Sequence, residues 1–122
     1  MITDTKTRQV EPDITVFEIA GRLNLGNTLI SVESAIKKLI ADGSRRMVLD
    51  VSGLEFIDSA GIGTLLSCAG QMEKDGGRMR IAGAKGRVKH AFEIVHIDRV
   101  APIDGDVDTA CQTLKATAAS GK

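Results

Sequence analysis

Residues 47–63 read MVLDVSGLEFIDSAGIG, and this stretch decides the fold. The run from Met47 to Val51 is short, apolar apart from Asp50 and bounded by turn residues, which is typical of a strand buried on both faces of a parallel sheet. A short loop follows, and apolar residues at helical spacing then predict a helix from Ser59 to about Lys74. The stretch therefore predicts a strand, a loop and a helix in that order, the unit from which α/β domains are built.

Strands and helices alternate along the rest of the chain as well. A hairpin of strands is predicted at residues 8–11 and 14–19, because β-branched residues flank the turn signal Pro12-Asp13. Apolar residues from Leu25 to Leu39 then recur at helical spacing, and they predict a helix with Asn27 as its N-cap and Gly43 as its stop. Beyond residue 74, two more strands are predicted, each followed by a helix: 79–82, 88–95, 100–103 and 107–114.

The predicted order is β-β-α-β-α-β-α-β-α, which implies a single α/β domain. We expect a mixed, mostly parallel sheet with an N-terminal hairpin and four helices, because strand–helix–strand units favour parallel pairing with right-handed crossovers. A length of 122 residues suits one domain. The predicted domain spans 8–117, with a disordered or frayed N-terminus at 1–7 and a flexible C-terminus at 118–122.

The composition indicates an aliphatic core and excludes several partners. Hydrophobic residues make up 43% of the chain, yet it holds three Phe and no Trp or Tyr, so it lacks the aromatic platforms that bind single-stranded nucleic acid. Sixteen basic and sixteen acidic residues cancel, whereas a protein that neutralises many phosphates carries a basic excess. The one basic cluster, 85–90, is interpreted as the solvated start of a helix. We therefore expect no nucleic-acid partner.

The two cysteines and the termini indicate the compartment. Cys68 and Cys111 each lie in an apolar helical pattern, which predicts buried thiols and no disulfide or metal framework. The N-terminus has no apolar signal core, and no apolar run approaches the length of a membrane span. These features predict a cytoplasmic protein with no membrane partner.

The predicted helix that begins at Ser59 has an unusual surface. Gly61 and Gly63 lie in its first turns, where each costs about 1 kcal/mol relative to Ala, which suggests that something approaches the backbone closely. Opposite the apolar stripe the residues are small or uncharged, where exposed helix faces normally carry Lys and Glu. They are Ser59, Ala60, Gly63, Thr64, Ser67 and Gln71. Such a face is suited to contact with another protein.

Ser59 itself is suited to phosphorylation. The amino end of a helix favours an anion, so a phosphate on this side chain would interact favourably with the helix dipole. The same phosphate would add roughly −1.5 to −2 charges to an otherwise uncharged face. Either Asp58 or Ser59 can be the N-cap of the helix, and a cap role alone is the simpler interpretation, because Ser and Asp are ordinary residues at helix starts.

Several motifs together carry a family resemblance. They are Gly21-Arg22-Leu23-Asn24, residues 48–52, Phe56-Ile57-Asp58-Ser59-Ala60-Gly61-Ile62-Gly63 with Leu65-Leu66, Gly76-Gly77 and the helix at 88–92. On these residues the chain resembles an anti-sigma factor antagonist of the STAS (sulfate transporter and anti-sigma factor antagonist) superfamily. The resemblance covers nearly the whole chain.

The resemblance implies a function in partner switching. Unphosphorylated members bind an anti-sigma factor that is also a serine kinase, which frees a sigma factor, and phosphorylation releases them; a serine phosphatase opposes the kinase. Carried over by position, Ser59 is the phosphoacceptor, and the chain needs no cofactor, metal or catalytic residue, because the partner binds the ATP. The implied partner-binding residues are Asn24, Asp58, Ser59, Ala60, Gly61, Gly63, Thr64 and Ser67.

One residue departs from the family pattern. The position of Asn24 is commonly Asp in the family, where the acid lies beside the serine near the kinase's nucleotide. Asn keeps the hydrogen-bonding shape but lacks the charge, so it cannot serve as an acidic helper. The departure bears on the efficiency of phosphorylation. Separately, the sequence leaves the oligomeric state open between a monomer and a weak dimer.

Three other interpretations compete with the switch. A receiver domain would need a cluster of carboxylates around Asp50, but the preceding strand ends in Ala20-Gly21-Arg22. A serine hydrolase would need a Gly-x-Ser-x-Gly elbow, which Ser59 lacks; His90 and His96 are interpreted instead as helix surface and helix-end packing. The third is a non-switching STAS scaffold or a subunit of a signalling or lipid and anion transport assembly, and it stays open.

Overall fold

The structure, a computed structural model, describes residues 4–10 and 13–120. Its strands are Asp4–Val10 (β1), Ile14–Leu23 (β2), Arg46–Asp50 (β3), Leu54–Ile57 (β4), Arg78–Ala82 (β5) and Ile103–Asp104 (β6). Its helices are Asn27–Ala41 (α1), Ser59–Lys74 (α2), Gly86–Ile94 (α3) and Val107–Ser120 (α4), with a 3₁₀ turn at Ile97–Arg99.

The strands form one mixed sheet in the order β1-β2-β3-β5-β6. β1 and β2 form the predicted antiparallel hairpin, and the other pairs are parallel. β4 lies off this path and pairs in parallel with the end of β2, which places Leu23 beside Ile57. The predicted class, an α/β domain with an N-terminal hairpin and four helices, is confirmed.

Helices cover the two faces of the sheet unequally. Met47 and Leu49 of β3 point into the main core, which also holds side chains of α1, α2 and α3. Val48, between them, points to the opposite face, where it packs in a smaller cluster with α4, because successive side chains of a strand alternate.

Cys68 lies in the first cluster and Cys111 in the second, so both thiols are buried as predicted. Burial raises the pKa of Cys68 to about 11.

The ends of the chain differ from the sequence-based boundaries. β1 begins at Asp4 rather than Arg8, and residues 4–7, expected to fray, pair with β2 in a register that sets Asp4 opposite Ala20. Partner pairing orders these polar residues even though they have no strand pattern of their own. α4 continues to Ser120, past the expected boundary at 117. The predicted strand residue Glu11 and the predicted turn residue Pro12, like residues 1–3 and 121–122, lie outside the described residues.

Three internal predictions are also wrong. The expected loop after β3 contains the strand β4, and the last strand is Ile103–Asp104 rather than 100–103. Asn27 is the first residue of α1 and not its N-cap, which is Gly26. Leu25 therefore precedes the helix, and it is 79% exposed instead of buried.

Candidate functional site

The candidate site lies where β2 and β4 end side by side. Because the two strands are parallel, the residues that follow them leave the sheet at the same edge. Asn24 follows β2, and Asp58 and Ser59 follow β4. The long-range pairing of β4, which the sequence did not reveal, thus brings the two predicted parts of the site together.

Asp58 joins these two segments through both oxygens of its carboxylate. Oδ1 accepts a hydrogen bond of 2.8 Å from the backbone N–H of Gly61 and so caps α2. Oδ2 accepts a hydrogen bond of 3.0 Å from the backbone N–H of Leu25, across 33 positions of sequence. In the same place, the backbone N–H of Asp58 donates to the carbonyl of Leu23 at 3.3 Å. One side chain therefore fixes the β2–α1 loop against the first turn of α2.

The hydrogen bonds also keep Asp58 ionised. The Gly61 N–H is the largest influence on the carboxyl group, and it lowers the pKa of Asp58 below its ordinary value of 3.8. Partial desolvation opposes this effect, and the Leu25 N–H adds to it. At neutral pH the group is a carboxylate that accepts from two backbone amides.

Ser59 is the first residue of α2, and its side chain is exposed. Asp58 provides the side-chain cap, so the alternative that Ser59 caps the helix is wrong. The hydroxyl of Ser59 therefore lies at the amino end of a helix, on the outside of the protein, where another protein can reach it.

The two glycines of α2 have different surroundings. Gly61 is buried, and a Cβ on it would lie 2.5 Å from the carbonyl oxygen of Leu23 and 2.8 Å from Cγ1 of Ile57. The close approach expected at this glycine is thus to its own chain, and Gly61 cannot be part of an exposed contact face. Gly63 is exposed, and a Cβ there would meet nothing within 4 Å.

The remaining predicted contact residues do share the outer side of α2. Ser59, Gly63 and Ser67 are exposed at intervals of four residues, and Ala60 and Thr64 are half-buried beside them. All five residues are uncharged. They form a continuous strip that begins at the candidate phosphoacceptor.

Sequence reasoning missed two exposed apolar residues around the start of α1. Leu25 is 79% exposed and Ile30, on the first turns of α1, is 62% exposed. Leu25 is tied to the site by the hydrogen bond from its backbone N–H to Asp58, and Ile30 lies in the first turn of α1. In the sequence, Gly26 could have indicated that Leu25 lies outside the helix, because glycine is an acceptable N-cap. In the structure Gly26 is the N-cap, and its φ of 150° is not helical.

A second missed feature surrounds Phe56 on β4. The guanidinium carbon of Arg22 lies 4.6 Å from the centre of the Phe56 ring, and that of Arg87 lies 5.7 Å from it. Nε of Arg87 also donates to the carbonyl of Glu55 at 3.4 Å. Arg87 belongs to the segment interpreted as a solvated helix start; it is exposed, but it packs on an aromatic ring as well.

The residues of the competing interpretations have structural roles. Oδ1 of Asp50 accepts from the N–H of Ser52 at 3.0 Å and from its hydroxyl at 2.7 Å, so Asp50 holds the loop after β3. His90 is exposed on α3 as expected, whereas His96 is exposed beyond the helix in a left-handed conformation and not packed at its end. Within residues 4–10 and 13–120, no three His, Cys, Asp or Glu residues are arranged to hold a metal ion.

A cavity of about 540 Å³ opens between α3 and β6, but Ser59 and Asn24 are not among the residues that line it.

None of the helices in the described part of the chain combines the length and the apolar character needed to span a bilayer.

Comparison with known proteins agrees with this fold. The family model for the STAS domain matches residues 5–110, and the chain therefore belongs to the STAS domain family. The protein BtrV of Bordetella bronchiseptica, assigned as an anti-sigma factor antagonist, is 29% identical over 84 residues, which cover 69% of this chain and 72% of that protein.

Solved structures with this fold include two anti-sigma factor antagonist structures. The crystal structure of an anti-sigma factor antagonist from Mycobacterium paratuberculosis has a TM-score of 0.80 and 21% identity, and the match covers 93% of this chain and 95% of the other. The structure of the Bacillus cell fate determinant SpoIIAA in its phosphorylated form has a TM-score of 0.72 and 16% identity, with 90% and 99% covered. At these identities the likeness shows the fold.

Proposed function

We propose that this protein is a non-enzymatic anti-sigma factor antagonist that binds a kinase-type anti-sigma factor and is released when Ser59 is phosphorylated. The observation that carries the proposal is the exposed hydroxyl of Ser59 at the amino end of α2, next to a cap that also holds the β2–α1 loop. The assignment of BtrV as an antagonist and the fold shared with phosphorylated SpoIIAA support it.

In this proposal the partner supplies the nucleotide and this chain supplies the acceptor. Oγ of Ser59 attacks the γ-phosphorus of ATP bound by the kinase, the bond from that phosphorus to the bridging oxygen breaks, and ADP leaves. The proton of the hydroxyl passes to a base on the kinase. Both oxygens of Asp58 accept from backbone amides, so Asp58 acts by positioning Ser59. Asn24, in the loop held by Asp58, contributes an amide to the same contact without adding charge.

Phosphorylation then releases the partner because of the surface on which it occurs. The exposed strip of Ser59, Gly63 and Ser67 is uncharged, and a phosphate adds roughly −1.5 to −2 charges to its first residue. Burying that charge against a partner carries a desolvation cost. A loss of about 3 kcal/mol weakens binding more than a hundredfold. The helix dipole stabilises the phosphate in the free protein, so the fold tolerates it.

The test is phosphorylation by the kinase-type anti-sigma factors encoded in the same genome. Each purified kinase is incubated with this protein and ATP, and the phosphate is located by mass spectrometry. Ser67→Ala, a change at an exposed serine on the same strip, is the matched control for Ser59→Ala. We expect phosphate on Ser59, abolished by Ser59→Ala and unchanged by Ser67→Ala. Stable binding of a kinase with no phosphate on Ser59 would instead indicate the non-switching scaffold.

A further inference from the structure

Two segments of the chain meet at the candidate phosphoacceptor, and both almost lack charge. Charged residues make up 26% of the chain, yet residues 23–32 contain none and residues 56–72 contain only Asp58. The carboxylate of Asp58 accepts from two backbone amides, so its charge is already engaged. In the first segment, residues 24–28, 30 and 31 are exposed. Depletion of charge is typical of the central part of a protein–protein interface.

Leu25 is the most exposed apolar side chain of the first segment. At 79%, its exposed fraction is the largest among the large hydrophobic residues that the structure describes as exposed. The backbone of Leu25 is nevertheless fixed, because its N–H donates to Oδ2 of Asp58 at 3.0 Å. A backbone that is already held in place loses less entropy when its side chain is immobilised in a complex. The loop therefore presents an apolar side chain in a preorganised position beside the start of α2.

Ile30 has a defined position relative to Leu25. Because Gly26 is the N-cap of α1, Leu25 is the residue before the cap and Ile30 is the fourth residue of the helix. Apolar side chains at these two positions pack together in the hydrophobic staple of a helix start. Ile30 still remains 62% exposed, so most of the apolar area at both positions is open to another molecule. Leu25 and Ile30 are called the apolar pair below.

We propose that the apolar pair is a docking anchor that inserts into an apolar pocket of the kinase-type anti-sigma factor. This inference rests on the proposed function and names the chemistry of recognition next to the phosphoacceptor. The kinase is the occupant because the hydrogen bonds of Asp58 join the loop of Leu25 to the first turn of α2, where the kinase must reach Ser59. The pocket is apolar because a charged surface laid on these two segments would lose hydration without gaining an ion pair.

The first test compares single substitutions of exposed apolar residues. The affinity of the unphosphorylated protein for each kinase-type anti-sigma factor of the same genome is measured by calorimetry. We expect Leu25→Ala to weaken binding about tenfold and Ile30→Ala about threefold, because a truncated anchor buries less apolar area. Ile94→Ala is the matched control for Ile30→Ala, because Ile94 is 63% exposed but belongs to α3, and it should leave affinity unchanged. Equal affinities of Leu25→Ala and wild type would overturn the proposal.

A second measurement separates docking from a purely structural role in the staple. Burial of apolar surface makes the heat-capacity change of binding negative, so Leu25→Ala should make it less negative. Leu25→Met keeps an apolar side chain of similar volume and should bind within about twofold of wild type. Leu25→Asn, which is polar, should bind no better than Leu25→Ala. If Leu25→Ala lowers the free energy of unfolding but leaves affinity and heat capacity unchanged, the pair is only a staple and the proposal is wrong.

The kinetics of phosphorylation give a further readout. An anchor that does not touch the reacting atoms stabilises the bound substrate and the transition state equally, so Leu25→Ala should raise the KM about tenfold and leave kcat unchanged. A fall in kcat with an unchanged KM would mean that Leu25 positions Ser59 and does not anchor the partner.

The outcomes separate this inference from the proposed function. If Ser59 is phosphorylated but Leu25→Ala binds like wild type, the apolar pair has no role and the switch stands. If Leu25→Ala weakens the binding of a kinase that places no phosphate on Ser59, the pair stands as a docking anchor and the switch fails. Sedimentation velocity tests a second copy of the chain as the occupant. Self-association that Leu25→Asn abolishes, with kinase affinity unchanged, would overturn the proposal, and if no kinase binds at all, both the anchor and the switch fail.

Discussion

The starts of α2 and α4 carry the same kind of cap, and their difference distinguishes a site from ordinary structure. Asp58 precedes α2 and accepts from the N–H of Gly61; Asp106 precedes α4 and accepts from the N–H of Thr109, in both cases at 2.8 Å. Both carboxyl groups have a lowered pKa, mainly because of that backbone hydrogen bond. The second oxygen of Asp58, however, accepts from Leu25, which is 33 positions away.

The comparison shows that a local cap alone does not indicate function. The partners of Asp106 lie three residues ahead of it, so that carboxylate stabilises the start of one helix. Asp58 does the same and also fixes a second segment beside an exposed serine. Each of the three predictions below changes a residue at the start of α2, and the first two have a matched control variant.

The largest expected effect is on stability, when a side chain is added to the buried Gly61 of α2. Gly61→Ala places a Cβ against the carbonyl oxygen of Leu23, and displacing the backbone of β2 to relieve this contact costs free energy. We expect the free energy of unfolding, measured with urea, to fall by about 1–3 kcal/mol. Gly63→Ala is the matched control, because a Cβ there meets nothing within 4 Å, and it should raise stability by about 0.5–1 kcal/mol. Equal effects at the two glycines would contradict the packing described here.

A smaller effect is expected when the second hydrogen bond of Asp58 is removed. Asp58→Asn keeps an oxygen to cap α2 but replaces the other with an NH₂ group, which cannot accept from Leu25. We expect a loss of about 1 kcal/mol in the free energy of unfolding. The Leu25 amide should also exchange its hydrogen faster.

Asp106→Asn is the control for that variant. It removes the same charge from the same kind of cap without separating two segments. We expect it to destabilise the protein less than Asp58→Asn and to leave the exchange of the Leu25 amide unchanged. Similar behaviour of the two variants would mean that the long-range bond has no energetic importance.

The smallest effect is a dependence on pH. The pKa of Asp58 in the folded protein is below its ordinary value of 3.8, so the stability that the carboxylate contributes is present above that value and is lost as the pH falls through the folded pKa. The stability difference between wild type and Asp58→Asn should therefore be constant above about pH 5 and shrink towards pH 3. Urea unfolding over this range measures it, and a difference that grows on acidification would contradict the assignment.

Much of the fold could be predicted from local patterns, and the organisation of the site could not. Alternating strand and helix patterns identified the α/β class, and the buried thiols followed from helical spacing. β4 was missed because it has four residues, with Leu54 and Ile57 both buried, and so it lacks the alternation of a half-buried strand. Only long-range pairing with β2 makes it a strand.

The same limit applies to single residues at the site. The cost of Gly61 in a helix was visible in the sequence, but what approaches it, the Leu23 carbonyl, depends on how α2 packs on β2. Leu25 fitted a helical spacing that Gly26 interrupts. Arg22, Phe56 and Arg87 come from three elements, so no local pattern unites them. The uncharged strip of α2, which depends only on helical periodicity, was the part of the surface that could be foreseen.

The most direct test of the proposed switch is the affinity of the kinase-type anti-sigma factor for this protein with and without phosphate on Ser59. Both forms are prepared from one protein, the phosphate is confirmed by mass spectrometry, and binding is measured by calorimetry under identical conditions. We predict that phosphorylation raises the Kd more than about a hundredfold, which corresponds to roughly 3 kcal/mol, while circular dichroism stays the same. Equal affinity of the two forms would contradict the account.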